Sequence, residues 1–334
     1  MSAPVARLTR PAAPPPFAWL SAYASRTDVT LADAAFHPHS VIRLPDRVLR
    51  GPQAVMADAM ALRATLTGCA VLGEDAISVD TRAGPGAESG GRAVATRATL
   101  QASHGGAGVW GAATGRPVQM RVLAECWQTE DGIRDAWMIR DTAALLRQIG
   151  AGDPRGWLEA QLLAAPAGLP APLTPETDPE PAYGDRGPAG PEADGLAEIL
   201  DRVLGGEMSC ISDHYAEGCD ATYPGGRPAI GRDNVEGFWT GLRSAFPSAS
   251  FRIDHRMGHA PARGAATAAV RWSLYGRHDG FGRFGAPSGA YAYVMGLTQV
   301  EFGPDGVRRE WTLIDDIAIW TQLLAPRPEA RETG

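Results

Sequence analysis

The chain repeats itself, and this repeat restricts the possible folds more than any other feature of the sequence. Polar, aromatic and glycine residues of the first half return in the same order in the second half, always 174 positions later. The repeated pairs are Arg97 and Arg271, His104 and His278, Gly111 and Gly285, Gly115 and Gly289, Asp131 and Asp305, Gly132 and Gly306, Trp137 and Trp311, Asp141 and Asp315, and Gln148 and Gln322. A spacing that stays constant over so long a stretch indicates two copies of one fold.

The spacing between the copies differs nearer their beginnings. Gly51 is answered by Gly231, 180 positions later instead of 174, so the first copy contains 6 additional residues after this point. The stretch 83–91 is rich in glycine and serine, which makes it the best position for them. We therefore expect a longer hairpin loop there.

Composition along the chain predicts the domain boundaries. A chain of 334 residues can form two domains of ordinary size, each with its own core. The prolines of residues 1–16 predict a disordered leader, because proline sustains neither a helix nor a sheet ladder. Residues 164–195 are rich in proline, glycine and acidic residues and predict a semi-rigid linker. The two domains are therefore expected at 17–152 and 196–326.

Each copy begins with helices and continues with strands. In the second copy, apolar residues at helical spacing predict helices at 196–204 and 235–246. Strand-like apolar runs follow, and Asp131-Gly132 and Asp305-Gly306 are strong hairpin signals. A last helix is expected at 143–149 and again at 317–324. This order is typical of an α+β domain whose antiparallel sheet curls around its helices.

Composition also excludes several classes of function. The net charge is −7 and the arginines are scattered, so we expect no nucleic-acid partner. The absence of lysine excludes a Schiff base, a lysine-bound pyridoxal phosphate and a phosphate-loop lysine. The four cysteines form no CxxC pair, and no apolar run approaches membrane-spanning length. We predict a cytoplasmic protein without cofactor, metal or membrane partner.

The candidate catalytic residues belong to the repeat. Each copy contains a Trp-x-x-x-Asp strand, Trp137 to Asp141 and Trp311 to Asp315. Residues four apart on a strand share a face, so a tryptophan that points into the curved sheet would place the aspartate there too. Arg97 or Arg271, on an earlier strand, would keep such a carboxylate ionised and help to orient a bound oxygen. The alternative is an interior ion pair that fixes strand register.

Several motifs of the second copy together resemble a known family. They are Gly231-Arg232-Asp233-Asn234-Val235, Ala245-Phe246-Pro247, Val270-Arg271-Trp272-Ser273-Leu274-Tyr275-Gly276 and Glu310-Trp311-Thr312-Leu313-Ile314-Asp315. In order and spacing, residues 196–325 resemble the SnoaL-like branch of the NTF2-like superfamily, as residues 17–150 do more faintly. The resemblance implies a cone of curled antiparallel sheet packed on N-terminal helices, with one deep apolar pocket.

The resemblance also implies roles for residues. In polyketide cyclases of this family an aspartate near the end of the last strand is the general acid and base, and Asp315 and Asp141 match that position. Ser273 stands where the related epoxide hydrolases have a second aspartate, so epoxide hydrolysis is disfavoured. The residues expected to line a substrate pocket are Trp311, Tyr275, Ser273, Tyr223, His214, Trp239, Phe284 and Trp137. His104 and His278 fit best as solvent-exposed histidines of plain turns.

Two hypotheses about function follow. The first is a cofactor-independent cyclase or isomerase that acts on a hydrophobic carbonyl small molecule, with Asp315 as acid and base and Arg271 holding an oxygen. The second is a non-catalytic module that binds a hydrophobic small molecule or serves a structural purpose. The second copy keeps more of the family pattern, so we expect its pocket to be the functional one. The two copies are also expected to pair as an intramolecular pseudo-dimer, with further homo-oligomerisation possible.

Overall fold

The computed structural model describes residues 15–25, 35–81, 90–164, 173–182 and 190–325. Most of the predicted leader and the glycine-rich loop at 83–89 lie outside these ranges, as do parts of the predicted linker. Among the described residues, no helix has the length and apolar character needed to cross a membrane.

The first domain is built from helices and one sheet. Its helices are α1 (Ala18–Ala24), α2 (Gly51–Thr65) and α3 (Thr142–Ile149), and α4 (Pro154–Ala164) follows it. Its strands are β1 (Phe36–Leu44), β2 (Arg47–Arg50), β3 (Leu66–Thr81), β4 (Gly91–His104), β5 (Pro117–Thr129) and β6 (Gly132–Arg140).

The second domain has the same sequence of strands. Its helices are α5 (Pro191–Gly205), α6 (Cys210–His214), α7 (Arg232–Ala245) and α8 (Asp316–Leu324). Its strands are β7 (Tyr215–Tyr223), β8 (Arg227–Ile230), β9 (Ser250–His259), β10 (Thr267–Arg277), β11 (Tyr291–Gly303) and β12 (Gly306–Leu313).

The two sheets share one topology. Their strand orders are β2-β1-β6-β5-β4-β3 and β8-β7-β12-β11-β10-β9. In each sheet one pair is parallel, β1 with β6 and β7 with β12, and the other pairs are antiparallel. The predicted α+β fold with two domains of the same architecture is therefore confirmed.

The Asp-Gly pairs form the predicted hairpin turns. Gly132 and Gly306 open β6 and β12 with φ angles of 108° and 102°, which L residues with a side chain rarely adopt. A Cβ on Gly132 would lie 2.9 Å from the carbonyl oxygen of Ala35, and a Cβ on Gly306 would overlap the carbonyl oxygen of His214. Backbone conformation and close packing thus both require glycine at these turns.

The linker region differs in part from the prediction. Helix α5 begins at Pro191, which lies inside the expected linker, and not at Leu196. Helix α4 ends at Ala164, the residue at which the linker was expected to begin. Proline fits the first turn of a helix because its φ is already helical and its missing N–H has no partner there. Glu192 and Asp194 lie in the same turn, where acidic side chains interact favourably with the helix dipole.

The outer faces of the two sheets pack against each other. One buried apolar cluster joins strands of both domains and the linker, and comprises Leu123, Trp127, Trp137, Ile139, Leu173, Tyr293, Met295, Leu297 and Leu313. A smaller cluster brings Ile77, Ala93 and Ala95 of the first domain together with Met257 and Ala269 of the second. The copies therefore form an intramolecular pseudo-dimer, with a separate core inside each cone.

The described linker segment, 173–182, fastens this arrangement at one side. Asp178 accepts hydrogen bonds from Arg43 Nε of the first domain at 2.8 Å and from the Tyr293 hydroxyl of the second at 3.1 Å. Arg43 also pairs with Asp135 at 2.6 Å, and both of these side chains are buried. One carboxylate thus connects the two sheets through the linker.

Candidate functional site

The interior of the second cone contains a buried carboxyl group. Glu310 lies on β12, and its Oε2 accepts hydrogen bonds from the hydroxyls of Tyr215 at 2.8 Å and Tyr223 at 3.1 Å. Its Oε1 accepts from Thr312 Oγ1 at 2.6 Å. Thr312 is in turn 2.9 Å from Thr298 Oγ1. We refer to these five residues as the Glu310 cluster.

Aromatic side chains surround the Glu310 cluster. Trp272 Nε1 donates to Thr298 Oγ1 at 3.0 Å, and Trp239 lies with its ring centroid 5.8 Å from that of Trp272. The ring of Phe238 stacks on Tyr223 at 3.8 Å with an interplanar angle of 9°. The Trp239 and Trp272 side chains are fully buried, so the cluster lies in an environment with little water.

Burial determines the protonation behaviour of the cluster. It raises the pKa of Glu310 above its ordinary value, while the hydrogen bonds from Thr312 and the two tyrosines act in the opposite direction. Burial and the nearby Glu310 charge raise the pKa values of Tyr215 and Tyr223 well above the ordinary tyrosine value. The tyrosines are therefore neutral donors, and Glu310 is the group of the cluster suited to gain or release a proton.

The first cone has no counterpart of this cluster. The residues 174 positions before Glu310, Thr312 and Thr298 are Ala136, Met138 and Ala124. These three are buried in the apolar core of the first domain. These three positions are therefore polar only in the second domain, although the two sheets have the same topology. The buried polar contacts of the first domain lie elsewhere, where Arg140 contacts Tyr23 and Asp58.

The predicted catalytic arginines lie between the domains. The Arg271 guanidinium stacks on the Trp137 ring at 3.6 Å, and the Arg97 guanidinium stacks on the Trp311 ring at 3.4 Å. Each arginine thus stacks on the tryptophan of the other copy. Arg271 Nε also donates to Glu125 at 2.9 Å.

The expectation that the tryptophans would point into the cones is wrong. Trp137 and Trp311 point outward onto the opposite domain. Successive residues of a strand face opposite sides, so the neighbour of Trp311, Glu310, points inward. Because β12 ends at Leu313, Asp315 lies outside the strand, and the period-two argument does not apply to it.

Asp315 is the N-cap of α8. Its Oδ1 accepts from the backbone N–H groups of Ile317 at 2.9 Å and Ala318 at 3.3 Å. Its Oδ2 accepts from the Thr142 hydroxyl of the first domain at 3.2 Å. Burial, with a smaller contribution from Asp46, raises the pKa of Asp315 to about 7. Its contacts differ from those of Arg271, so the structure does not assemble the expected pair.

Asp141 holds a turn of the opposite domain. It caps α3 by accepting from the Ala144 N–H at 3.1 Å, and it also accepts from the backbone N–H groups of Gly225 at 2.8 Å and Gly226 at 3.1 Å. Arg121 completes the arrangement with a 2.7 Å ion pair. These contacts connect the domains and leave Asp141 with structural partners at both oxygens.

A second buried ionic group, between the sheets, was not predicted from the sequence. Glu125 Oε2 lies 3.1 Å from His255 Nδ1, and Glu125 Oε1 accepts from Arg271. Burial alone would raise the pKa of Glu125, but His255 and Arg271 outweigh it and hold the pKa well below its usual range. A lone carboxylate within the apolar strand β5 was the available sequence signal.

The eight predicted pocket residues occupy different places. Tyr223 and Trp239 line the interior of the second cone, whereas Ser273 and Tyr275 share the outward face of β10 with Arg271. His214 lies near the surface, with Nε2 2.9 Å from an Arg202 nitrogen.

Phe284 is buried against Phe246 and Trp320. Trp137 and Trp311 belong to the interface described above. Of the five residues of the Glu310 cluster, Tyr223 is the one that belongs to the eight predicted pocket residues.

His104 and His278 are not solvent-exposed, as the turn interpretation required. Both side chains are fully buried, and their Nδ1 atoms lie 3.1 Å from Thr114 Oγ1 and 3.2 Å from Ser288 Oγ respectively. Each histidine closes the base of the long loop between two central strands. Within the described ranges, no group of three or more His, Cys, Asp or Glu side chains is arranged to hold a metal ion.

The chain is similar to solved structures, each of which corresponds to less than half of it. The SnoaL-like protein from Jannaschia sp. CCS1 is 18% identical with a TM-score of 0.35, and the alignment covers 43% of this chain and 100% of that one. AclR from Streptomyces galilaeus is 16% identical with a TM-score of 0.34, and the alignment covers 40% of this chain and 95% of that one. IdmH from Streptomyces antibioticus is 17% identical with a TM-score of 0.32, and the alignment covers 40% of this chain and 99% of that one.

Sequence comparison gives a family for the second domain. No curated protein sequence matches the chain. The family model described as SnoaL-like polyketide cyclase matches residues 196–323, which span α5 to α8. Residues 196–323 of the chain therefore match the family of SnoaL-like polyketide cyclases, and the domain that precedes them has the same sheet topology.

Proposed function

We propose that the second domain is a cofactor-independent acid/base enzyme that acts on a hydrophobic, polyketide-like carbonyl compound, with Glu310 as the proton-transferring group. The observation that carries this proposal is the Glu310 cluster, a carboxyl with raised pKa held by two tyrosines inside the cone. A buried acid with a raised pKa suits proton transfer near neutral pH.

The chemistry is an intramolecular aldol closure. The Glu310 carboxylate removes a proton from a carbon that lies between two carbonyl groups of the substrate. The resulting carbanion attacks a further carbonyl of the same molecule, which forms the new carbon–carbon bond and leaves an alkoxide. The Glu310 carboxyl then returns the proton to this alkoxide, so no external reagent is consumed. Tyr215 and Tyr223, as neutral donors to Oε2, keep the carboxyl oriented.

Glu310 replaces Asp315 as the proposed acid and base for a geometric reason. The pKa of Asp315, about 7, would suit such chemistry. Its two oxygens, however, accept from the α8 backbone and from Thr142 in the contact between the domains. Glu310 lies in the cone interior, which is where the SnoaL-like resemblance implies a pocket. The first domain, which has an alanine at the position of Glu310, serves as a scaffold in this proposal.

The proposal is tested by measuring the turnover of linear and bicyclic aromatic β-polyketone esters. The loss of their enol absorbance monitors the reaction. We expect Glu310→Gln to lower kcat by at least about a hundredfold, which is the usual effect of removing a general acid/base. Glu301→Gln, on the neighbouring strand and paired with Arg308, is the matched control and should retain activity. If Glu310→Gln were fully active and Asp315→Asn were inactive, the general acid and base would be Asp315 and not Glu310.

One observation favours a second candidate function, non-catalytic binding. The carboxyl and hydroxyl groups of the Glu310 cluster are hydrogen-bonded to one another, and the tryptophans around them are fully buried. Such a network also occurs as a structural element of a core. Saturable binding of a polyketone that survives Glu310→Gln, with the ligand recovered unchanged, would support this candidate and contradict the enzymatic one.

A further inference from the structure

A cleft of about 340 Å³ opens at the junction of the two domains, outside both cones. Helices α3 and α4 and the residues just before α4 form one side of it, and α7, α8 and the loop before β11 form the other. Its volume lies within the range of small-molecule sites. We refer to it as the interdomain cleft, defined by Arg147, Arg155, Arg227, Arg283, Phe238 and Trp320.

The interdomain cleft has an excess of positive charge. Four arginines and two aspartates line it. Arg283 pairs with Asp316 at 2.7 Å, and the other carboxylate, Asp153, accepts from the Gly156 N–H at the start of α4. Within the described ranges, Arg147 and Arg227 have no carboxylate within ion-pair distance. Arg147 donates to the carbonyl oxygen of Gly225 at 3.2 Å, and Asp316 attracts it at longer range. The arginines of the cleft thus outnumber its carboxylates.

Aromatic rings and an open helix surface give the cleft its shape. Arg155 stacks over Trp320 at 4.6 Å, and Arg283 lies 5.3 Å from the centroid of Phe238. On α7, Gly237 and Gly241 share one face and leave the floor of the cleft without side chains. A flat apolar group could therefore reach the floor between the two rings.

The repeat does not reproduce this group of arginines in the other copy. The residues 174 positions from Arg147 and Arg283 are Thr321 and Val109. Arg47 of β2 corresponds to Arg227 of β8, and Arg47 is paired with aspartates of its own domain. The accumulated charge is therefore particular to this side of the pseudo-dimer.

We propose that the interdomain cleft binds a small aromatic carboxylate, whose carboxylate group pairs with Arg147 and Arg227 and whose ring lies between Phe238 and Trp320. Guanidinium groups bind carboxylates through paired, charge-assisted hydrogen bonds. Stacked aromatic and guanidinium planes provide the contact for the ring. The lining of this site contains none of the five residues of the Glu310 cluster, although Phe238 contacts Tyr223, and the inference does not depend on the proposed catalytic function.

Isothermal titration of the full chain with 2-naphthoate at low ionic strength tests the inference. We expect saturable binding with one site per chain, weakened by added salt. The double variant Arg147→Gln with Arg227→Gln should weaken binding at least tenfold, since hydrogen bonds between charged groups contribute about that much each. Arg92→Gln, an exposed arginine paired with Asp80, is the matched control and should bind as the wild type does.

A second variant protects the test from a failure to fold. Gly237 is exposed and its Cβ position meets no neighbouring atom, so Gly237→Leu should fill the floor of the cleft and favour the helix. We expect this variant to remain folded and to lose 2-naphthoate binding. Equal binding of neutral 2-naphthamide, equal binding of inorganic phosphate, or unchanged affinity in both the double variant and Gly237→Leu would each overturn the inference.

Discussion

Asp315 provides a test of how the two domains are joined. Its carboxylate is buried between α8 and α3, where its partners are two backbone N–H groups and the Thr142 hydroxyl. We expect Asp315→Asn to preserve these contacts, because asparagine is as good an N-cap as aspartate. The substitution then removes the buried charge and little else.

The size of the effect follows from the pKa of this carboxyl. Burial raises it from 3.8 to about 7, and each unit corresponds to about 1.4 kcal/mol, which gives about 4 kcal/mol in total. Because the folded-state pKa is the higher one, the folded protein binds more protons than the unfolded chain between about pH 4 and pH 7. The contribution of Asp315 to stability is therefore complete below pH 4 and is lost as the pH rises through about 7.

Denaturation by urea at several pH values between 4 and 8 measures this difference. We expect wild type and Asp315→Asn to be equally stable near pH 4, and the variant to be more stable by about 4 kcal/mol at pH 8. Asp141→Asn is the matched control at the repeated position, and it should destabilise because it loses the ion pair with Arg121. A difference between wild type and Asp315→Asn that does not change with pH would refute the reasoning.

Three further predictions concern stability and are measured by chemical denaturation at pH 7. Trp137→Ala should cost about 3–5 kcal/mol because the ring is fully buried between the domains, and Trp311→Ala, at a half-buried site, should cost less; equal losses would contradict this. Glu125→Gln should cost about 3–5 kcal/mol because it removes the nearer carboxylate of the buried Arg271 and leaves only Asp254 at 3.9 Å, and a neutral result would mean that the pair is not buried as described. Gly306→Ala should cost more than 1 kcal/mol because of its positive φ and close neighbour, and a stable variant would show that the turn can rearrange.

The sequence predicts the fold well because the fold depends on local patterns. The constant spacing of the repeat indicates two domains, and the Asp-Gly turns fix hairpins that the structure confirms. Helix α3 starts at its capping aspartate, and Gly150 follows its last residue with a left-handed φ of 82°. Turn chemistry and capping act within a few residues, so the sequence shows them directly.

The site was harder to predict because both faces of each sheet are buried. On β12, Glu310 and Trp311 are neighbours, and one must face the cone interior while the other faces the second domain. In a sheet with one solvated face, the polar residue would be assigned to water. Here the other domain covers that face, so alternation alone does not show that the carboxylate points inward and the tryptophan outward.

The repeat itself indicates where chemistry does and does not occur. The residues that recur have the same structural task in both copies. Arg97 and Arg271 stack on the tryptophan of the opposite domain, and Gln148 and Gln322 fasten the last helix to a central strand with bonds of 2.8 Å from the N–H groups of Gln119 and Tyr293. Repetition therefore marks the framework and the interface.

Residues that differ between the copies lie outside this shared framework, although some of them, such as Glu125 and Arg147, also contact the opposite domain. Glu310 stands where the first copy has Ala136, and Arg147 stands where the second copy has Thr321. A buried carboxyl such as that of Glu310 costs stability because it must be desolvated. Arg147 is exposed, and it lies near the other arginines of the cleft. The Glu310 cluster and the interdomain cleft are therefore better places to look for function than the repeated Asp and Arg residues, because the framework is complete without them.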